Sequence, residues 1–387
     1  VPVLTVIVEQ LLSPVPGGTG RVTKELATAM AAQAPPGWQL RTASAWHSST
    51  AAAVIDGPIG AIRPRRLPAG RRALSVLWER GLPPAVAGDV VLAPTPLFPS
   101  GPPLPPARRG QRRLVIVHDA VPYTHPETLT PRGVGWHRRM IERAAGSARI
   151  IVPAQAVASE LADYVSLARP PAVVGWGVGD DLAPPADAVA RRRRLGLPER
   201  YLVFVGTVEP RKGLDLLFAA LGAPGGSGDG SDDGAEDNPV RSVPVAIVGP
   251  AGWGTGLDQL VAASGLAKQR VLALGRLDDA DLAATVTGAA ALVAPSRSEG
   301  FGLPVLEAMA LGVPVLHTAV PALTELTDGA AAVVANEDPA ALAAALATLL
   351  ADPGARARLA EAGRRRAAAF SWQKAAERTW QLVRDPG

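Results

Sequence analysis

The 387-residue chain has no cysteine, which excludes disulfides, thiolate nucleophiles and cysteine-bound zinc. Aromatic residues make up only 4% of it, too few for a platform on which bases stack. No stretch reads as a nucleic-acid module either, so no nucleic-acid partner is expected. Histidines are few (47, 118, 125, 137 and 317) and show no HxH or HExxH spacing, which argues against a histidine-built metal site. Long apolar runs are missing as well. The opening VPVLTVIVEQLL lacks a basic start and a cleavage site, and it is too short to span a bilayer. No later stretch reaches that length without charge or proline. The expectation is a cytoplasmic chain that could meet a membrane only at its inner face.

Apolar residues, by contrast, are plentiful at 48%, enough for two ordinary cores. The net charge of +4 suits an anionic substrate or an acidic membrane surface, although arginine-rich surfaces are often merely solvated. Leu4–Val8 reads as a buried parallel strand, followed by the glycine loop PGGTGRV and the helical TKELATAMAAQA. Further strands are expected at Asp89–Ala93, Leu114–Val117 and Arg149–Val152, with helices around Trp136–Ala145 and Gln155–Val165. A second set starts at Tyr201 and continues through Val245–Gly249, Val271–Leu274, Ala290–Pro295 and Val313–His317. The alternation predicts an α/β chain of two doubly wound, Rossmann-like domains, residues 1–180 and 181–370. Between them, Pro170–Pro198 reads as the link. Gly222–Ser242, rich in glycine and aspartate, reads as a surface insertion, and residues 371–387 as an amphipathic helix.

Four segments carry residue types suited to chemistry. In PGGTGR, Gly17, Gly18, Thr19 and Gly20 could bring backbone close to an anion at a helix start, or simply make a tight turn. In HDAVPY, His118 follows a strand at the end where α/β sites form, and could contact a sugar hydroxyl or a developing charge. The alternative is a histidine hydrogen-bonded inside its domain, and His125 and His137 read as surface residues. In GTVEPRKGLDLL, Gly206 leads into Arg211 and Lys212, two cations at a helix start that flank no evident carboxylate; they suit a diphosphate. The fourth segment, SRSEGFGLPVLEAMALGVPVL, holds Glu299 and Glu307 with seven residues between them. A carboxylate seeks hydroxyls rather than phosphate, so Glu299 suits a sugar and Glu307 a ribose. Cations for phosphate together with carboxylates for hydroxyls make a nucleotide sugar the expected ligand.

The EGFGLPVLEAMA signature followed by GVPV resembles the retaining glycosyltransferases of family four, as do EPRKG, the PGGTGRV loop, the HD pair and the final FSWQKAAERTW. That resemblance implies the GT-B fold, two Rossmann-like domains facing each other across a cleft. It also implies that the first domain binds the acceptor, the second binds the donor, and the terminal helix packs back on the first. It assigns Glu299 to the transferred sugar and Glu307 to the nucleotide ribose. The amides of Gly300, Phe301, Gly302 and Leu303 fall to sugar and phosphate, Leu277 to the base, and His118, Arg211 and Lys212 to the reacting centre. No metal cofactor is expected. HDAVPY with HPE (His125–Glu127) looks most like the branch that moves mannose from GDP-mannose to an oligosaccharide, polysaccharide or glycolipid. UDP-glucose, UDP-GlcNAc or ADP-glucose as donor, a sugar-nucleotide epimerase and a non-catalytic binding module stay open. Two basic stretches, Arg63–Arg72 and Arg132–Arg139, are of the kind that meets an anionic lipid surface, and equally of the kind that is only solvated.

Overall fold

The structure is a computed structural model that describes residues 1–13, 17–48, 64–101, 110–179, 182–222, 239–252 and 254–385. Most of the glycine- and aspartate-rich insertion, and Arg63, lie outside the described residues. The chain divides into two compact units, Val1–Gly177 with Phe370–Gly387, and Val178–Ala369.

The first unit is built on a parallel sheet of β1 (Val3–Ile7), β2 (Gln39–Ser44), β3 (Arg65–Arg66), β4 (Val90–Ala93), β5 (Arg112–Ile116), β6 (Arg149–Val152) and β7 (Ala172–Val173). Their order is β3-β2-β1-β4-β5-β6-β7, so the winding reverses between β1 and β4, where Leu4 pairs with Val90. Leu4, Val6, Leu92, Ile116 and Ile151 are buried, as strands covered by helices on both faces require. β2, β3 and β7 were not evident from the sequence. QLRTAS mixes polar and apolar residues, and the other two strands are only two residues long.

The last helix, Trp372–Arg384, belongs to this unit. Ser371 caps it by accepting the Lys374 N–H, and Trp372, Ala375, Ala376, Thr379, Trp380 and Val383 form its buried stripe. Trp380 Nε1 donates to the Met30 carbonyl on the helix Gly17–Ala32 at 3.0 Å. Backbone meets backbone at Gly177, where a Cβ would come within 2.1 Å of the Trp372 nitrogen.

The second unit has β8 (Leu202–Val205), β9 (Val245–Val248), β10 (Val271–Gly275), β11 (Ala291–Ala294), β12 (Val315–Thr318) and β13 (Ala332–Val334), all parallel, in the order β10-β9-β8-β11-β12-β13. Here the reversal lies between β8 and β11. Leu202, Phe204, Val245, Ile247 and Val293 pack with Leu217, Phe218 and Leu346 from the covering helices. The arginine-rich run of the expected link is a short helix, Ala188–Arg194, tied to this unit by Arg191 and Arg194, which both reach Asp281 at 2.7 Å.

Candidate active site

In open α/β sheets, ligands bind beyond the carboxyl ends of the strands where the winding reverses. The second unit places its chemistry there. After β8 the chain makes a 3-10 turn, Pro210–Lys212, closed by Gly213 at φ +66°. After β11 it makes the turn that carries Glu299. The two exits touch: a Cβ on Gly213 would sit 1.9 Å from the Pro295 carbonyl oxygen, and the Arg297 N–H donates to the Arg211 carbonyl at 2.8 Å. Gly206 is held as closely on the other side, since a Cβ on Gly249 would lie 2.0 Å from its carbonyl oxygen.

This approach brings side chains 87 residues apart into contact. Lys212 Nζ donates to both carboxylate oxygens of Glu299, at 2.7 and 2.9 Å. Ser296 Oγ donates to the same carboxylate at 2.7 Å. Arg211 donates to Glu209 at 2.6 Å and to the Ser298 carbonyl at 2.8 Å, and its Nη1 lies 3.6 Å from Glu299. The expectation that Arg211 and Lys212 flank no carboxylate is therefore wrong: two cations meet two carboxylates, Glu209 and Glu299. Spacing along the chain could not show that pairing. Burial pushes the Glu299 carboxyl up, but Lys212 and Arg211 outweigh it and leave it below the usual range.

Gly302 starts the helix Leu303–Ala310 in the left-handed region at φ +94°, and a Cβ there would run into Leu323 at 2.4 Å. Phe301 is buried beside it, and Leu303 and Pro304 open the helix. Glu307 lies in its second turn, 7% exposed. Gly300 is half-buried between Glu299 and these residues. Leu277 follows the edge strand β10, at the same end of the sheet but three places from β11 in the strand order.

The first unit gathers a different set at its own reversal point. A pocket of about 400 Å³ is lined by Gln10 and Thr19 after β1, Thr95 and Leu97 after β4, and His118 and Asp119 after β5, with Arg71, Trp136 and His137 from helices. His118 Nε2 lies 2.7 Å from the Pro94 carbonyl, so this nitrogen carries the proton and Nδ1 is the acceptor of the neutral ring. Burial holds its pKa below the ordinary value, against the pull of that carbonyl and Asp119. Trp176, itself buried, packs its ring 6.0 Å from His118.

Several readings of this unit change. Gly17, Gly18, Thr19 and Gly20 are the first turn of the helix Gly17–Ala32 rather than a loop before it. The 3-10 turn Glu9–Leu12 already carries the chain off β1, and Gly20 is buried within the helix. His137, half-buried, lines the pocket. The basic stretches are partly spent inside the unit: Arg71 lines the pocket, Arg138 lies over the Tyr123 ring and Arg139 pairs with Glu79. Gln10, Asp119 and Trp136 were missed, because only the fold brings them to the pocket; Glu209, two residues before Arg211, was missed although it lies close in sequence.

Residues 189–366 match the family described as glycosyl transferases group 1. That stretch covers nearly all of the second unit. Among curated relatives, the D-inositol 3-phosphate glycosyltransferase of Salinispora arenicola is 39% identical over 200 residues, covering 49% of this chain and 42% of the relative. That of Streptomyces avermitilis is 36% identical over 248 residues, covering 61% and 51%. The chain thus spans about half the length of the relatives it matches. Over nearly the whole chain the similarity is one of fold. Sucrose-phosphate synthase from Thermosynechococcus elongatus has a TM-score of 0.70 at 22% identity, covering 99% of this chain and 98% of that one. Anabaena HepE in complex with UDP-glucose has a TM-score of 0.72 at 17% identity, covering 99% of each chain. The architecture is GT-B, with two Rossmann-like domains that each carry their own parallel sheet.

Proposed function

We propose that the protein transfers a hexosyl unit, with retained configuration, from a nucleotide diphosphate sugar to an acceptor hydroxyl. The observation that carries this reading is the meeting of Arg211, Lys212 and Glu299 at the switch point of a domain that matches a glycosyltransferase family. A diphosphate entering there shares Arg211 and Lys212 with the carboxylates they already hold. As the bond from the anomeric carbon to the phosphate oxygen breaks, positive charge grows on the sugar and negative charge on the leaving diphosphate. Cations already held at the site stabilise that leaving charge. They do so without a divalent ion, so turnover survives exhaustive EDTA treatment.

Glu299 can do more than hold cations. A carboxylate has about four acceptor positions, and Lys212 and Ser296 occupy three. One is left for a sugar hydroxyl. Glu307 takes the ribose hydroxyls, the amides from Gly300 to Leu303 face sugar and phosphate, and Leu277 lies along the base. The first unit supplies the acceptor site, with His118 presenting an acceptor nitrogen toward a hydroxyl. The terminal helix belongs to that acceptor-binding domain.

The HDAVPY and HPE stretches favour GDP-mannose as donor. The fold neighbour bound to UDP-glucose favours a uridine nucleotide as the second reading. A panel of nucleotide sugars, each incubated with the protein with and without a cell extract, tests the proposal through the mass and linkage of the product. A glycosylated acceptor supports transfer. A changed sugar nucleotide without acceptor points to an epimerase, and binding with no turnover of any donor leaves a binding module.

A further inference from the structure

A further arginine stands among the strand exits of the second unit, and the transfer reading gives it no task. The guanidinium of Arg297 has five N–H donors in one plane, and all five are taken. Nη1 donates to Asp215 Oδ1 at 2.8 Å and to the Pro210 carbonyl at 2.7 Å. Nη2 donates to Asp215 Oδ2 at 2.7 Å and to Glu337 Oε2 at 3.0 Å. Nε lies 2.6 Å from Glu337 Oε1. The main-chain N–H of Arg297 donates to the Arg211 carbonyl at 2.8 Å. One residue thus gathers the exits of β8, through Pro210 and Asp215, of β11, which it follows itself, and of β13, through Glu337. Glu337 holds its place at φ +56°, in the left-handed region that a non-glycine residue adopts at a cost. Burial pushes the Asp215 carboxyl up, and the hydrogen bond and charge of Arg297 more than reverse that.

What this network holds is the turn Pro210–Lys212. Three residues of 3-10 helix make a weak frame. Pro210 has no N–H, and the turn's own bonds run from Lys212 N to the Glu209 carbonyl at 3.0 Å and from Gly213 N to the Pro210 carbonyl at 3.1 Å. Arg297 ties down two successive carbonyls of that turn, Pro210 by its side chain and Arg211 by its main chain. A diphosphate can draw the Arg211 and Lys212 side chains away from Glu209 and Glu299. It finds no free donor on Arg297, whose charge two carboxylates already answer. We infer that Arg297 is a positioning residue for the donor diphosphate: held by Asp215 and Glu337, it fixes the backbone of Pro210–Lys212 while Arg211 and Lys212 bind. The inference rests on the transfer reading for its ligand; the clamp on the turn stands on the hydrogen bonds alone. Lysine cannot replace this arginine, because an ammonium has three donors and no planar fork to serve two carboxylates and a carbonyl together.

Calorimetric titration of UDP and of GDP into the full chain tests this with Arg297→Lys, Arg297→Met and Asp215→Asn beside the parent. Arg297→Lys and Arg297→Met should weaken the nucleotide that binds the parent alike, by about tenfold, short of the roughly hundredfold that a 1 Å misplacement can cost. Asp215→Asn should weaken it several-fold, because it loosens Arg297. Were Arg297 itself a ligand of the diphosphate, Arg297→Lys would keep most of the affinity, and Asp215→Asn, freeing the guanidinium, would tighten binding; either result overturns the inference. Parent-like affinity in folded Arg297→Lys overturns it too, since the network would then serve stability only. Hydrogen exchange of the unliganded chain, read by mass spectrometry across residues 209–213, supplies an arm that needs no nucleotide. Exchange there should be faster in Arg297→Lys than in the parent, with β8 and β11 unchanged, and equal exchange would overturn the clamp. If Arg297→Met does not fold, Arg297→Lys and Asp215→Asn decide. If neither nucleotide binds the parent, the transfer reading fails and takes the ligand with it, while the exchange arm still decides whether Arg297 clamps the turn.

Discussion

The two units reverse their winding in the same way and set arginine at the reversal, yet they surround it differently. In the second unit Arg211 and Lys212 stand against Glu209 and Glu299, all four side chains between 12% and 17% exposed. In the first unit Arg71 donates to the amide oxygen of Gln10, in a pocket wall that also holds Asp119 and Trp136. A cation already paired with a carboxylate is stable without ligand and must share its charge when a diphosphate arrives. A cation held only by a neutral amide keeps its full field for an incoming anion. The first arrangement suits a ligand whose charge rises during reaction, because the pair can loosen as it does.

The sharpest way to break this contrast is to remove each cation. Lys212→Ala leaves Glu299 mostly buried with only Ser296 and the more distant Arg211. It should cost about 2 kcal/mol, less than the roughly 3–5 kcal/mol of breaking a fully buried pair, because those partners remain. Adding Glu299→Gln should restore most of that loss in a denaturant titration. Arg71→Ala removes no carboxylate's partner and frees one amide oxygen; it should cost about 1 kcal/mol or less. Equal losses in the two variants would show that the units do not differ as described.

Acid sharpens the same comparison. Glu299 sits below its ordinary pKa in the fold, so its stabilisation is present above the usual carboxylate range and is lost as pH falls through the lowered value. The stability gap between the parent and Lys212→Ala should therefore close in acid, below about pH 4. Arg71 has no carboxylate hydrogen-bond partner among the described residues, and the gap between the parent and Arg71→Ala should stay flat over the same range. A smaller effect is expected from His118. Its pKa is also lowered, so the fold favours the neutral ring and that contribution fades as pH drops below the ordinary value of about 6.5. Turnover should show an acid limb there that His118→Asn removes.

The parallel strands near Leu4, Val90, Leu114, Ile150, Val203, Val245 and Leu292 were legible because runs of apolar, often β-branched residues buried on both faces leave a mark in sequence. So was the turn from Glu299 to Leu303, where Gly302 answers both a positive φ and the crowding of Leu323. The partners of charges were not legible. Glu209 lies two residues from Arg211 and still went unnoticed, and the Lys212–Glu299 pair depends on the apposition of β8 and β11. Arg71 read as one of a basic run, because nothing in the run distinguishes the side chain that turns into a pocket wall from exposed Arg72 beside it. Local pattern encodes burial; it does not encode which distant group a charge will meet.

The most direct measurement is calorimetric titration of UDP and of GDP into the parent, Lys212→Met, Glu299→Gln and Glu307→Gln. One of the two nucleotides should bind the parent. Lys212→Met should weaken it tenfold or more, and Glu307→Gln by about 1–3 kcal/mol for the lost charged hydrogen bonds to ribose. Glu299→Gln releases the lysine, so it should leave the affinity for the bare nucleotide unchanged or slightly tighter. Parent-like binding by Lys212→Met, or a loss in Glu299→Gln as large as that in Lys212→Met, would contradict a diphosphate site built on shared cations.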